Sequence, residues 1–166
     1  MRTNSGEADP RYRALLELLR AADTIWDVSR VFFSRWDLSP SQFNVLNLLR
    51  LTRGGLSQTG LSEQLIMHRS NVTGLVDRLE KRGLVARRDA AGDRRAYNVV
   101  LTAAGAALLK EILPRYYRGA QAAWRHVPTR RASEITNELR QLAANARQIA
   151  GSRDYKNGGL DYDTRA

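Results

Sequence analysis

Apolar residues recur three or four apart along most of the chain, the spacing that lays one face of a helix against a core. Leu15, Leu16, Leu18, Leu19, Ile25, Val28, Val31 and Phe32 carry this pattern up to about Arg35. It predicts one long helix, or two with a break near Ala21 to Asp23. In Trp36-Asp37-Leu38-Ser39-Pro40-Ser41 the serine at 39 suits an N-cap and Pro40 the first helical position. The helix started there carries Phe43, Val45, Leu46, Leu48 and Leu49 as far as Arg53, where Gly54-Gly55 stops it. Ser57 opens a short third helix with Leu61 and Leu65 inward, and a fourth runs from about His68 to Arg82 before Gly83.

Beyond Gly83 the period changes. Leu84-Val85-Ala86 and Tyr97-Asn98-Val99-Val100-Leu101 flank a charged, Gly-containing turn, which reads as a β-hairpin. Thr102 then caps an Ala/Leu-rich helix over about 103–126, with a kink expected at Pro114, and a last helix fills about 129–150. The fold class is therefore mainly α: a winged helix-turn-helix, three helices plus a β-hairpin wing, over residues 38–102. Helices at 10–36 and 103–150 flank it and read as a dimerisation region, because their apolar faces exceed what so small a lobe buries. Residues 1–9 and 151–166 are polar and unpatterned, and are expected to be flexible tails.

Charge narrows what such a fold touches. The 166 residues hold 27 Lys and Arg against 17 Asp and Glu, a net of +10 that attracts a polyanion, nucleic acid or an anionic membrane. No apolar run is long enough for a membrane span, and MRTNSGEADP lacks the apolar stretch of a signal peptide, so a cytoplasmic protein with no membrane partner is expected. With no cysteine, disulfides, thiolate metal sites and thiol redox sensing drop out. His68 and His126 alone cannot build a multi-imidazole site, so neither metal nor cofactor is expected. No nucleophile with a paired base and no glycine-rich phosphate loop is visible, which argues against an enzyme.

The stretch from His68-Arg69-Ser70-Asn71-Val72-Thr73-Gly74 to Gly83-Leu84-Val85 resembles the recognition helix of the MarR family of bacterial regulators. Asp93-Arg94-Arg95, followed by Leu101-Thr102, resembles that family's wing signature. The resemblance covers residues 38 to 110 by motif and the flanking helices by architecture. It implies a triangular homodimer whose first and last two helices interlock while two winged lobes meet adjacent major grooves of duplex DNA. Many members are repressors released by small aromatic or phenolic acids, so such a ligand is a further possible partner.

A helix that enters the major groove, about 12 Å wide, needs an apolar inner stripe and a polar outer face. Val72, Leu75, Val76 and Leu79 supply the stripe. Arg69, Ser70, Asn71, Thr73, Gly74 and Arg78 fall on or near the other side and are the candidate contacts to bases and phosphates. The alternative for Asn71 and Thr73 is solvated helix surface, and for Arg78 an ion pair within Asp77-Arg78-Leu79-Glu80. Imidazole caps poorly, so His68 either touches phosphate or pairs with the wing. On the wing, Arg87, Arg88, Arg94 and Arg95 can meet the minor groove, where narrow A·T-rich stretches concentrate negative potential. By the resemblance, Asp93 would orient Arg95. A merely soluble, charged hairpin tip is the alternative.

Trp26, Phe32, Phe33, Trp36, Tyr116, Tyr117 and Trp124 cluster outside this lobe. They read first as a dimer core. Alternatively Trp26, Arg30 and Phe33 line a cleft where, as in the family, an aromatic acid binds with the arginine on its carboxylate. The expected function is sequence-specific binding of a pseudo-palindromic operator as a homodimer, as a ligand-released repressor. An architectural or RNA-binding winged-helix module is the alternative.

Overall fold

Among the described residues, six helices and one antiparallel hairpin follow one another as α1 (Pro10–Phe33), a 3-10 turn (Ser34–Trp36), α2 (Pro40–Leu51), α3 (Gln58–Gln64), α4 (Val72–Lys81), β1 (Val85–Ala90), β2 (Asp93–Leu101), α5 (Ala103–Ala123) and α6 (Thr129–Gly151). The computed structural model describes residues 9–65, 72–90 and 93–151, without the side chains of 90 and 93–96. The expected tails, apart from Asp9 and Gly151, lie outside the described residues, as does the start expected for the fourth helix at His68.

Short polar side chains set the helix ends. The Ser39 hydroxyl accepts from the Gln42 backbone N–H at 3.2 Å, while the Gln42 carbonyl oxygen Oε1 accepts from the Ser39 N–H at 2.8 Å. This reciprocal box, with Pro40 in the first turn, satisfies two donors that a helix start leaves open. Ser57 caps α3 by accepting from the Gly60 N–H at 3.1 Å. The Thr102 hydroxyl accepts from the Gly105 N–H at 3.0 Å and donates to the Gly83 carbonyl at 2.7 Å, which ties the start of α5 to the end of α4.

Of the two readings of the first segment, one long helix or two, the structure takes the first. α1 runs unbroken through Ala21 to Asp23, where the Thr24 hydroxyl donates to the Arg20 carbonyl at 2.9 Å and is satisfied inside the helix. α5 continues through Pro114 to Ala123, with the proline inside the helix.

The chain divides into two compact units, one ending at Leu113 and the other beginning at Pro114. The core of the first is built on α2. The Phe43 ring stacks on Phe33 of α1 with centroids 4.3 Å apart and planes at 23°. Val45, Leu46, Leu61, Val76, Leu79, Leu109 and Ile112 are fully buried around them, each burial worth about 1.5–3 kcal/mol. The end of α1 and the start of α5 thus share the core of the lobe.

The hairpin pairs Val85 with Leu101, Arg87 with Val99 and Asp89 with Tyr97, and its register shifts between Asp89 and Ala90. Leu56 adds a third edge: its N–H donates to the Val99 carbonyl at 3.0 Å and its carbonyl accepts from the Val99 N–H at 2.8 Å. This approach needs glycine at 55, where φ is 82° and a Cβ would stand 2.3 Å from the Val99 carbonyl oxygen. Gly105 is needed for the same reason, since a Cβ there would stand 2.2 Å from the Leu84 carbonyl oxygen.

In the second unit α6 buries no residue, and Tyr117, Trp124, Leu139 and Leu142 are exposed. Arg131 and Arg130 each bond Glu134 at 3.1 Å and hold its carboxyl below the ordinary glutamate range. In the first unit α1 exposes Leu19, Ile25, Val28 and Val31, the last at 74%.

Candidate nucleic-acid interface

Residues 73, 77 and 80 form one stripe along α4 at i, i+4 and i+7, and 74, 78 and 81 form another. Val72, Val76 and Leu79 hold the helix to the core. Of the residues expected to meet DNA from this element, Arg69, Ser70 and Asn71 lie outside the described residues, as does His68. Thr73 is exposed, and its hydroxyl oxygen accepts from the Gln58 amide at 3.3 Å. Gln58 had not been singled out. Its signal in the sequence was its place one residue after the Ser57 cap, at the start of α3, which packs against α4. Gly74 is half-buried.

Arg78 stands about 140° around the helix from Thr73, at 3.6 residues per turn. It is exposed and has no ion-pair or hydrogen-bond partner among the described residues. With Lys81 and Arg82 it lines a cleft whose other wall is Asp37, Ser39 and Gln42. The ion pair considered for Arg78 within its own helix is absent from the described contacts; the carboxylates of that run turn to the wing.

Arg87 accounts for this. Expected on the duplex, it makes contacts to α4 within the chain: its guanidinium bonds the carboxylates of Asp77 and Glu80, and its backbone N–H donates to Glu80 Oε1 at 3.0 Å. The guanidinium carbon also lies 5.2 Å from the centre of the Tyr97 ring. β1 runs alongside α4, so Arg87 faces that helix with only 25% of its side chain exposed. The Asp77 hydrogen bond, above all, raises its pKa beyond that of a free arginine. Arg87 is thus a brace between α4 and the hairpin. Arg88 remains exposed. The backbones of Asp93, Arg94 and Arg95 form the start of β2, and their side chains lie outside the described set.

The residues expected around a ligand separate. Arg30 bonds Asp27 at 3.1 Å and lines a cleft of about 390 Å³ with Ser34, Asp37, Leu38, Ser39, Pro40 and Gln42. Phe33 belongs to the core: it is 1% exposed, with one ring face on Phe43 and its edge on Phe32. Trp26 is half-buried and does not line this cleft. Nearby, the Trp36 indole N–H donates to Glu111 Oε1 at 2.9 Å, joining the 3-10 turn to α5. Among the described residues no cluster of His, Cys, Asp and Glu could hold a metal ion, and no helix is long and apolar enough to cross a membrane.

Residues 36–96 match the sequence profile of the MarR family. The transcriptional repressor MprA of Escherichia coli K12 is 33% identical over 89 residues, 54% of this chain and 51% of that protein. The chain spans about half the length of the curated relatives it matches. Among solved structures, a MarR transcription factor from Planctomyces limnophilus is 32% identical, with a TM-score of 0.59 over 80% of this chain and 93% of that one. Bordetella bronchiseptica BpsR, whose DNA binding is described as regulated by 6-hydroxynicotinic acid, is 27% identical, with a TM-score of 0.68 over 76% of this chain and 89% of that one.

Proposed function

Because the chain belongs to the MarR family of transcriptional regulators, we propose that it binds a pseudo-palindromic operator as a homodimer and represses transcription there. The carrying observation is the pairing of α4 with the hairpin. Thr73 lies on the exposed side of α4, and Arg87 braces the hairpin against Asp77 and Glu80. A helix and a wing held at fixed separation can enter neighbouring grooves as one rigid body. Arg69, Ser70, Asn71, Thr73 and Gly74 then read the major groove, and Arg94 and Arg95, oriented by Asp93, reach the minor groove.

The exposed apolar residues of α1, Leu19, Ile25, Val28 and Val31, supply a surface for a second copy. Repression is suggested by MprA, and release by a small aromatic acid by BpsR. The Arg30 cleft is the place for such an acid, whose carboxylate the guanidinium can hold bidentately. Trp26 would contribute from its half-buried face, whereas Phe33 acts only as the floor of the core. Such a regulator works in the cytoplasm, where the operator is.

Footprinting the protein on the DNA upstream of its own reading frame tests this, with excess random duplex as competitor. An operator complex that survives the competitor is expected. A complex stripped by random DNA would instead mark an architectural module without operator specificity.

A further inference from the structure

The cleft between the start of α2 and the end of α4 has a volume of about 440 Å³ and is lined by Asp37, Ser39, Gln42, Arg78, Lys81 and Arg82. Volumes of that order suit small molecules. Its polar groups are almost all donors. The reciprocal cap of α2 uses the Gln42 Oε1 and the Ser39 hydroxyl oxygen as acceptors, which leaves the Gln42 NH₂ and the Ser39 O–H to donate. Gln42 is only 8% exposed, and its Nε2 makes no hydrogen bond among the described residues. No fully buried side-chain nitrogen or oxygen among the described residues lacks a partner, so this amide keeps an open side, and Gln42 lines both this cleft and the neighbouring Arg30 cleft.

The cations agree with the donors. Arg78 and Lys81 have no partner among the described residues. Arg82 donates to the backbone carbonyls of Asp37 and, at 2.9 Å, of Trp36, which anchors the end of α4 to the turn before α2. The one carboxylate present, Asp37, is 96% exposed and 3.7 Å from Arg82, so three positive charges face one screened negative charge.

We propose that this cleft binds a small dianion, a dicarboxylate or a phosphate ester, through Arg78, Lys81, Arg82 and the Gln42 amide. Two negative charges match the surplus of the lining, and forked guanidinium groups suit carboxylate and phosphate oxygens alike. Arg78 and Lys81 sit on the helix proposed to read DNA, so a bound dianion would fix the end of that helix against α2; this consequence rests on the DNA-reading proposal, whereas the binding itself does not.

Titration calorimetry on the full chain without DNA, in low salt, tests it with succinate and inorganic phosphate as separate probes. The double variant Arg78→Gln/Lys81→Gln should weaken binding of the preferred anion at least tenfold, with an unchanged melting temperature. The charge-matched control Arg140→Gln/Arg147→Gln, in α6, should bind as the parent does. Tighter binding of succinate identifies a dicarboxylate, and tighter binding of phosphate a phosphate ester. If neither anion binds the parent at about 1 mM, the upper end of physiological substrate levels, or if both double variants lose affinity equally, the cleft is solvated surface and the proposal fails. A protein that binds succinate or phosphate but no operator would refute the DNA-reading proposal alone.

Discussion

The guanidinium of Arg87 on β1 bonds the carboxylate of Asp77 on α4, ten residues earlier in the chain, and so joins the wing to the helix before it. Glu80 completes the clasp from one turn further on, using one oxygen for the guanidinium and the other for the Arg87 backbone N–H.

Arg87→Ala leaves two carboxylates without their shared cation and should cost about 1–2 kcal/mol of stability, the scale of charge-assisted hydrogen bonds in a partly screened setting. Operator affinity should fall with it because the wing loses its fixed angle. Arg87→Lys should rescue little, since an ammonium lacks the fork that spans two carboxylates. Melting curves and duplex titrations at several salt concentrations check this. An unchanged melting temperature with a salt slope lowered by about one would return Arg87 to the phosphates.

For the wing tip, Arg95→Ala is expected to cost about 1–3 kcal/mol of operator affinity while the fold survives. Asp93→Ala should weaken binding too, although it removes a negative charge near DNA. A purely electrostatic tip would instead bind more tightly without the carboxylate, so the sign of the Asp93→Ala effect in a duplex titration decides between them.

Two glycines of α5 should respond in opposite directions. A methyl at Gly105 would press on the Leu84 carbonyl, so Gly105→Ala should destabilise by about 1–3 kcal/mol. Nothing lies within 4 Å of a Cβ at Gly119, so Gly119→Ala should raise the melting temperature, by about 0.5–1 kcal/mol of helix propensity. Paired thermal melts measure both.

Light scattering should report about twice the 18.7 kDa chain mass. Val28 and Val31 are 64% and 74% exposed on α1, so Val28→Asp/Val31→Asp should shift the protein toward monomer without unfolding the lobe. A parent that stays monomeric at micromolar concentration would end the dimer proposal.

The helix ends were legible because a cap is a local event. Ser39 and Pro40 are adjacent, and their types alone announce the start of α2, as Ser57 and Thr102 do for α3 and α5; the part of Gln42 in the cap came from the structure. The wing was legible for a related reason, since two short β-branched runs flanking a charged, Gly-containing segment read as a hairpin, although the strands reach further into that segment, to Ala90 and from Asp93. The destinations of long side chains were not. Arg87 looked like its neighbours Arg88, Arg94 and Arg95, and only the packing of β1 along α4 brought it to Asp77 and Glu80. Phe33 and Trp26 looked alike on one helix, and it was Phe43, from the next helix, that drew Phe33 into the core. Arg78 shared a helix with Thr73 yet faces the start of α2. Periodicity and capping record interactions three or four residues apart, and the sequence by itself determined everything built from those. Which charge meets which across 10 to 45 residues depends on how elements pack, and only the tertiary structure decided that.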